Sequence, residues 1–183
     1  SYKGEQGKIV ANILERNFKA TAPNQKWATD ITEFNVLGKK LYLSPIIDLF
    51  NGEIISYELS ERANFDQIIA MLKKSFKRIT NQTNLILHSD QGWQYQMKQY
   101  QTILKDKGII QSMSRKGNCL DNAIIENFFG ILKSELFYLK QYKSITQLKQ
   151  EIKEYIIYYN NDRIKQNLKG MSPIQYRAHY YQN

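Results

Sequence analysis

Three acidic residues in three separate stretches have the chemistry of a site for hard divalent cations. Asp30 falls inside the run Trp27-Ala28-Thr29-Asp30-Ile31-Thr32-Glu33-Phe34. Strand alternation there sets Ala28, Asp30 and Thr32 on one face and Ile31 and Glu33 on the other. A charge at mid-strand is costly unless something partners it. Asp90 ends the apolar run Asn84-Leu85-Ile86-Leu87-His88-Ser89, and the turn Gln91-Gly92-Trp93 after it would leave its carboxylate open. Glu126 lies in a long helical stretch. At about 100° per residue, Asn118, Asn122, Glu126, Gly130 and Lys133 share one sector, and Leu120, Ile124, Phe128 and Ile131 the opposite one. Carboxylates from a strand centre, a strand end and a helix can converge on two Mg²⁺ ions about 4 Å apart. Such a pair activates the attacking oxygen and stabilises the leaving one in displacement at phosphorus. Lys and Asn along the stripe would then meet phosphate oxygens.

Taken singly, each acid has a plainer reading. A strand Asp is commonly a satisfied or edge residue, a Glu on a polar helix face is commonly just solvated, and Asp90 can be an ordinary turn residue. Asp48, before the Asn51-Gly52 hairpin signal, reads as turn chemistry, and Asp121 as first-turn stabilisation of the long helix. Trp93 and Tyr95 can stack on an unpaired base, against the alternative that Trp93 packs under its turn. Arg115 and Lys116 are placed for phosphate contact or simply solvated. Arg163 and Lys165 follow a Tyr-rich helix (Tyr155, Tyr158, Tyr159) whose stripe reads as core. His88 shares a strand face with Asp90 and reads as a core histidine bonded to backbone.

The elements that must position these residues follow from periodicity. Residues 8–18 carry Ile9, Val10, Ile13 and Leu14 at helical spacing, and 21–25 read as a linker. Strands are expected over 27–34, 40–50 and 53–59, joined by turns at Leu37-Gly38-Lys39 and Asn51-Gly52, with Pro45 at an edge or bulge. Helical pattern covers 64–79, capped by Asn64 or Asp66. A buried strand follows over 84–90, a helix over 94–106 and a short strand over 109–113. Long helices are expected over 119–140 and 145–160, the latter capped by Ser144, and a last one begins at Pro173. Three antiparallel strands followed by strand–helix alternation predict an α/β fold. Its mixed five-stranded sheet would carry helices on both faces and bind ligands beyond its strand ends.

Composition bounds the partners. The 183 residues carry 26 Lys and Arg against 17 Asp and Glu, a net charge of +9, which favours polyanions. With 42% hydrophobic and 13% aromatic residues the chain can fill a core without staples. Cys119 is the only cysteine, which excludes an internal disulfide and fits a reducing compartment; with His88 and His179 it cannot build a zinc-finger site. No apolar run approaches the roughly 20 residues that span a bilayer, so no membrane partner is expected. The chain begins without Met and without a signal-like apolar run, the pattern expected of a fragment of something longer.

The blocks Trp27-Ala28-Thr29-Asp30-Ile31-Thr32, His88-Ser89-Asp90-Gln91-Gly92 and Gly117-Asn118-Cys119-Leu120-Asp121-Asn122-Ala123-Ile124-Ile125-Glu126-Asn127-Phe128-Phe129 together resemble one pattern. It is that of the OrfB-type DDE transposases of the bacterial insertion-sequence-three family, relatives of the retroviral integrase core with a ribonuclease H-like fold. The 35 residues between Asp90 and Glu126 match the spacing of that family's acidic triad. Lys133 matches a basic position used near DNA ends, and Tyr158-Tyr159-Asn160-Asn161-Asp162-Arg163 with Leu168 and Ser172-Pro173 resembles the C-terminal signature. The resemblance runs from about Trp27 to Tyr176. It departs at Lys165, where many members have His.

The resemblance implies that Asp30, Asp90 and Glu126 are catalytic metal ligands for Mg²⁺, with Mn²⁺ as substitute. Lys133, Asn122, Asn118, Arg115, Lys116, Trp93 and Arg163 are the expected DNA contacts. It further implies hydrolysis at an element end and 3′-hydroxyl attack on another phosphodiester, with DNA as transposon end and target. A homo-oligomeric complex in the bacterial cytoplasm is expected. Residues 1–26 are expected to be a helix and linker left from a longer chain, 27–141 the catalytic core and 142–183 its helical extension. A nuclease of the same fold without strand transfer, and a non-catalytic transposase-derived DNA-binding module, are the alternatives.

Overall fold

The computed structural model describes residues 7–15, 17–80, 84–117 and 122–183. Its strands are β1 (Lys26–Thr29), β2 (Thr32–Val36), β3 (Lys39–Asp48), β4 (Ile54–Ser60), β5 (Ile86–Ser89) and β6 (Ile110–Met113). Its helices are α1 (Phe65–Ser75), α2 (Trp93–Gln96), α3 (Lys98–Asp106), α4 (Ala123–Glu135), α5 (Ile145–Asn161) and α6 (Pro173–Gln182). β3 pairs antiparallel with β1, β2 and β4, while β1, β5 and β6 run parallel. The register of β1 on β3 continues without a step into that of β2 on β3, so β1 and β2 are two halves of one strand. The sheet therefore has five positions, with the interrupted strand in the middle.

The interruption is at Asp30 and Ile31, and it has a local cause. Leu49 N–H bonds Lys26 O, which makes that pair a hydrogen-bonded one. Hydrogen-bonded pairs recur at every second residue of an antiparallel ladder, so the register brings Pro45 opposite Asp30 at such a position. Proline has no N–H to give. Of the edge or bulge expected for Pro45, the edge is not found, since β3 is an interior strand, while a register shift of the bulge type lies one residue on, between Ile46 and Ile47. Thr29 Oγ1 donates to the Pro45 carbonyl at 2.8 Å.

Two cores sandwich the sheet. Trp27, Ile46 and Leu87 pack with α1 and α3 on one face; Ala28, Phe34, Leu41 and Ile47 pack with α4 and α5 on the other. Tyr142, Ile145, Leu148, Ile152 and Tyr159 belong to that second core, so the C-terminal helices share it. Asn64 caps α1, Ser144 caps α5, and Ser172 with Gln175 forms a capping box ahead of Pro173.

Residues 8–18 are not the helix their spacing predicted. The described part holds no helix or strand and lies beside the open edge of β6. Met113 N–H bonds Ala11 O, and Ser112 Oγ accepts from Ile13 and Leu14 N–H. β-branched Ile9, Val10 and Ile13 favour extended backbone, and an unpaired edge offers it partners. The predicted helix over 94–106 is divided at Met97, whose ψ of 135° is extended.

Candidate active site

Asp30, Asp90 and Glu126 line one open cleft of ≈ 400 Å³, with Gln91, Gly92, Ser114, Arg115, Lys116, Gly117 and Asn122. The broken strand delivers Asp30 on the α4 face, where its Oδ1 accepts the Ile31 N–H at 2.8 Å. Asp90 follows the C-terminal end of β5, and its Oδ1 accepts the Gly92 N–H at 2.7 Å. A Cβ on Gly92 would lie 2.9 Å from that oxygen, so any larger residue here would push the carboxylate aside. Gln91 Nε2 donates to Ser114 O at 3.1 Å and ties this turn to the loop after β6. Glu126 is exposed in the first turn of α4.

Electrostatics couple the three acids. The Asp30 carboxyl is pushed up to about 7, first by burial and then by the Asp90 charge, with Glu126 adding in the same direction. The Ile31 N–H and the Asn122 amide oppose the rise. All three acids are oxygen donors, the ligand type of hard divalent cations, and a cation here would relieve the repulsion on Asp30. Among the described residues no three His, Cys, Asp or Glu side chains are gathered closely enough to hold an ion by themselves. An ion at this cleft would therefore draw part of its coordination from water or phosphate, the usual habit of Mg²⁺.

Helix α4 is turned relative to the expectation. Its buried residues are Ile125, Phe128, Phe129 and Leu132, so the core stripe is rotated by roughly one residue from the predicted sector. Glu126 then flanks the core at the cleft instead of pointing directly away from it. Asn122 turns inward: it is 5% exposed, donates to Thr29 O at 3.4 Å, and its Oδ1 finds no hydrogen-bond partner among the described residues. That burial sets Asn122 against Asp30 at the floor of the cleft. Asn118 lies outside the described residues.

The other predicted residues divide. Arg115 and Lys116 are exposed on the cleft wall. Lys133 is further along α4, its Nζ 5.2 Å from the Phe34 ring centre, and burial lowers its pKa. Trp93 is 49% exposed beside Phe65 and does not pack under its turn, whereas Tyr95 is buried at 1% and cannot stack on a base. Arg163 is committed to Glu135 through a two-pronged ion pair (2.8 and 2.7 Å) away from the cleft lining. His88 is a core residue, but its Nδ1 meets Ser112 Oγ at 2.9 Å where backbone was expected. Asp48 accepts the Asn24 and Phe50 N–H groups, as turn chemistry requires. Gln91 and Ser114 were not singled out from sequence; adjacency to Asp90 is the only signal for the first, and only strand pairing reveals the second.

A mixed sheet with one acid at the break of its central strand, a second beyond the adjacent parallel strand and a third on the covering helix is the architecture of ribonuclease H-like catalytic cores. The integrase core domain family matches residues 20–119, and a second integrase core domain family matches 126–180. InsK of insertion sequence element IS150 from Escherichia coli (strain K12) is 59% identical over 181 residues, 99% of this chain and 64% of InsK. A transposase-like protein of Haemophilus influenzae is 57% identical, covering 97% of this chain and 82% of its own length. The transposase InsF for insertion sequence IS3A of Escherichia coli is 36% identical over 96% of this chain and 62% of InsF. Among solved structures, the magnesium complex of the HTLV-2 integrase catalytic core (trimeric form) superposes with a TM-score of 0.67 at 18% identity, over 86% of this chain and 98% of that one. The chain belongs to the integrase core domain family, within its insertion-sequence transposases. It spans 64% of the length of InsK. None of the described helices is long and apolar enough to cross a membrane.

Proposed function

We propose that this chain is the catalytic unit of a DDE-type DNA transposase, cutting element ends and joining the freed 3′-hydroxyl to another phosphodiester. The observation that carries the reading is the convergence of Asp30, Asp90 and Glu126 on one cleft where Asp30 is buried against like charge. These three residues would hold Mg²⁺ or Mn²⁺, which supplies Lewis-acid stabilisation of the oxygens at the reacting phosphorus. The chain's own part is positional. Gly92 N–H and Asn122 hold two of the carboxylates in place. Arg115 and Lys116 bind phosphate oxygens at the cleft wall, and Lys133 meets the duplex further along α4. No protein side chain forms a covalent bond to DNA. The HTLV-2 core, solved in dimeric and trimeric forms, motivates the proposal that the working complex is a homo-oligomer holding both element ends and target in the bacterial cytoplasm.

The test is nicking and 3′-end joining of a labelled duplex in Mn²⁺ or Mg²⁺, wild type against Glu126→Gln. Metal-dependent nicking is expected to fall at least 1000-fold in the variant, a loss of about 4 kcal/mol of transition-state stabilisation. Joined strands select transposase over a nuclease of the same fold. Equal cleavage by both proteins overturns the site.

A further inference from the structure

The β2–β3 hairpin has no role in the cleft, yet its geometry aims it along the path of any duplex seated there. β1 and β5 are parallel, so their C-terminal ends, Asp30 and Asp90, lie at the same end of the sheet. β2 continues β1 in register, carrying the hairpin past that end. From Asp30 to Leu37 is seven residues, about 23 Å of strand. α4 runs the same way: Asn122 touches Thr29 at its start, while Lys133 covers the Phe34 ring and Phe137 stacks edge-on against Phe34 beyond its end. The cleft, Lys133 and the hairpin tip thus form one track.

The tip itself is unusual for a turn. Val36 pairs with Lys39, leaving the two-residue turn Leu37-Gly38 with φ of 54° and 80°. Both values are left-handed, the geometry of a type I′ turn, where Asn or Gly is the comfortable first residue and leucine is strained. Leu37 is nevertheless 80% exposed, the most exposed large hydrophobic side chain among the described residues. Exposed Lys39 and Lys40 follow it at the start of β3, and Glu33, paired with Lys40, is the one acid of β2. An apolar point beside two cations, held on a stiff hairpin, has the chemistry of a side chain pressed into a DNA groove.

Resting on the DNA reading above, we propose that this hairpin is a DNA-contacting arm. Lys39 and Lys40 bind the phosphate backbone, and Leu37 enters a groove about seven base pairs from the phosphate in the cleft, given a rise of about 3.4 Å per pair. The contact is to backbone and groove shape, because Leu37, the side chain at the groove, has no hydrogen-bonding group and the two lysines are engaged by phosphate.

The test measures affinity of the full chain for a fluorescein-labelled 30-base-pair duplex of arbitrary sequence, by anisotropy across a salt series. Lys39→Gln with Lys40→Gln is expected to weaken binding about tenfold at low salt. It should also make the slope of log affinity against log salt shallower by about 1.8, the release of two phosphate contacts. Leu37→Asn separates binding from folding, because Asn relieves the left-handed strain. It is expected to melt no lower than wild type and yet bind at least threefold more weakly. Lys77→Gln, an exposed lysine on the far side of the sheet's α1 face, controls for general charge loss. Both hairpin variants binding within twofold of wild type, while Arg115→Gln with Lys116→Gln weakens binding, overturns the arm and leaves the DNA reading standing. A wild-type chain that binds no duplex overturns both.

Discussion

Asp30 sits where two costs meet, partial burial and the charges of Asp90 and Glu126, and its carboxyl titrates near 7 as a result. A group whose pKa is raised on folding holds a proton that the unfolded chain releases. Its stabilising contribution is complete below the ordinary aspartate value of 3.8 and is lost as pH climbs through about 7. In EDTA, the Asp30→Asn protein is therefore expected to gain melting temperature relative to wild type between pH 4 and 8 while losing all metal-dependent nicking. A constant difference across that range would show that Asp30 is not perturbed. The neighbouring turn gives a second expectation. Alanine at Gly92 brings its Cβ to 2.9 Å from Asp90 Oδ1, and the easiest response is for the flexible carboxylate to swing away. Nicking should drop about 10- to 100-fold for a misplacement of this kind, with the melting temperature little changed.

At the scale of elements, the C-terminal signature braces the sheet. Asn160 of α5 accepts the Ile54 N–H at 2.9 Å and donates to the Ile54 carbonyl at 3.0 Å, standing in for the strand that β4 lacks on its outer side. Tyr159 adds a bond to Gly52 O, and Lys165, where a His was expected by resemblance, donates to the Tyr159 hydroxyl at 2.6 Å. Burial lowers the Lys165 pKa to about 8. Replacing Asn160 by Ala removes both bonds to Ile54 and is expected to cost about 2 kcal/mol, read as a lower urea midpoint at unchanged slope. Asp at the same place keeps the acceptor but sets a carboxylate against a carbonyl, so it should not rescue.

Across the whole molecule, Glu53 ties distant parts of the chain together. It is 1% exposed and pairs with Arg78 after α1 and with Arg177 in α6. Asn51 beside it donates to Pro173 O at 2.8 Å, so the hairpin before β4 anchors the last helix. Glu53→Gln would leave two guanidinium groups without their buried partner, and a loss of about 3 kcal/mol is expected in thermal or urea unfolding. A loss below about 0.5 kcal/mol would mean that the two arginines are adequately solvated and that α6 is held by Asn51 and packing alone.

Much of this architecture is written in local pattern. Strand alternation already set Asp30 and Ala28 on a common face, Asn64 or Asp66, Ser144 and Pro173 marked three helix starts, and Asn51-Gly52 marked a turn, because each depends on neighbours within a few residues. The acids themselves were visible as residue types at costly or strand-terminal positions. What periodicity could not give was anything resting on a partner far along the chain. Residues 8–18 had helical spacing, but the bare edge of β6 decided their conformation. Asn122 belonged by its angle to the polar stripe, yet the packing of Phe128 and Phe129 rotated α4 and buried it. The break in the central strand follows from Pro45 fifteen residues away, and only strand register brings a proline without an N–H opposite Asp30. Local sequence thus determined the elements and the reactive groups, while long-range pairing decided which groups meet, because only there do a missing donor, an open edge and a crowded core act on residues distant in the chain.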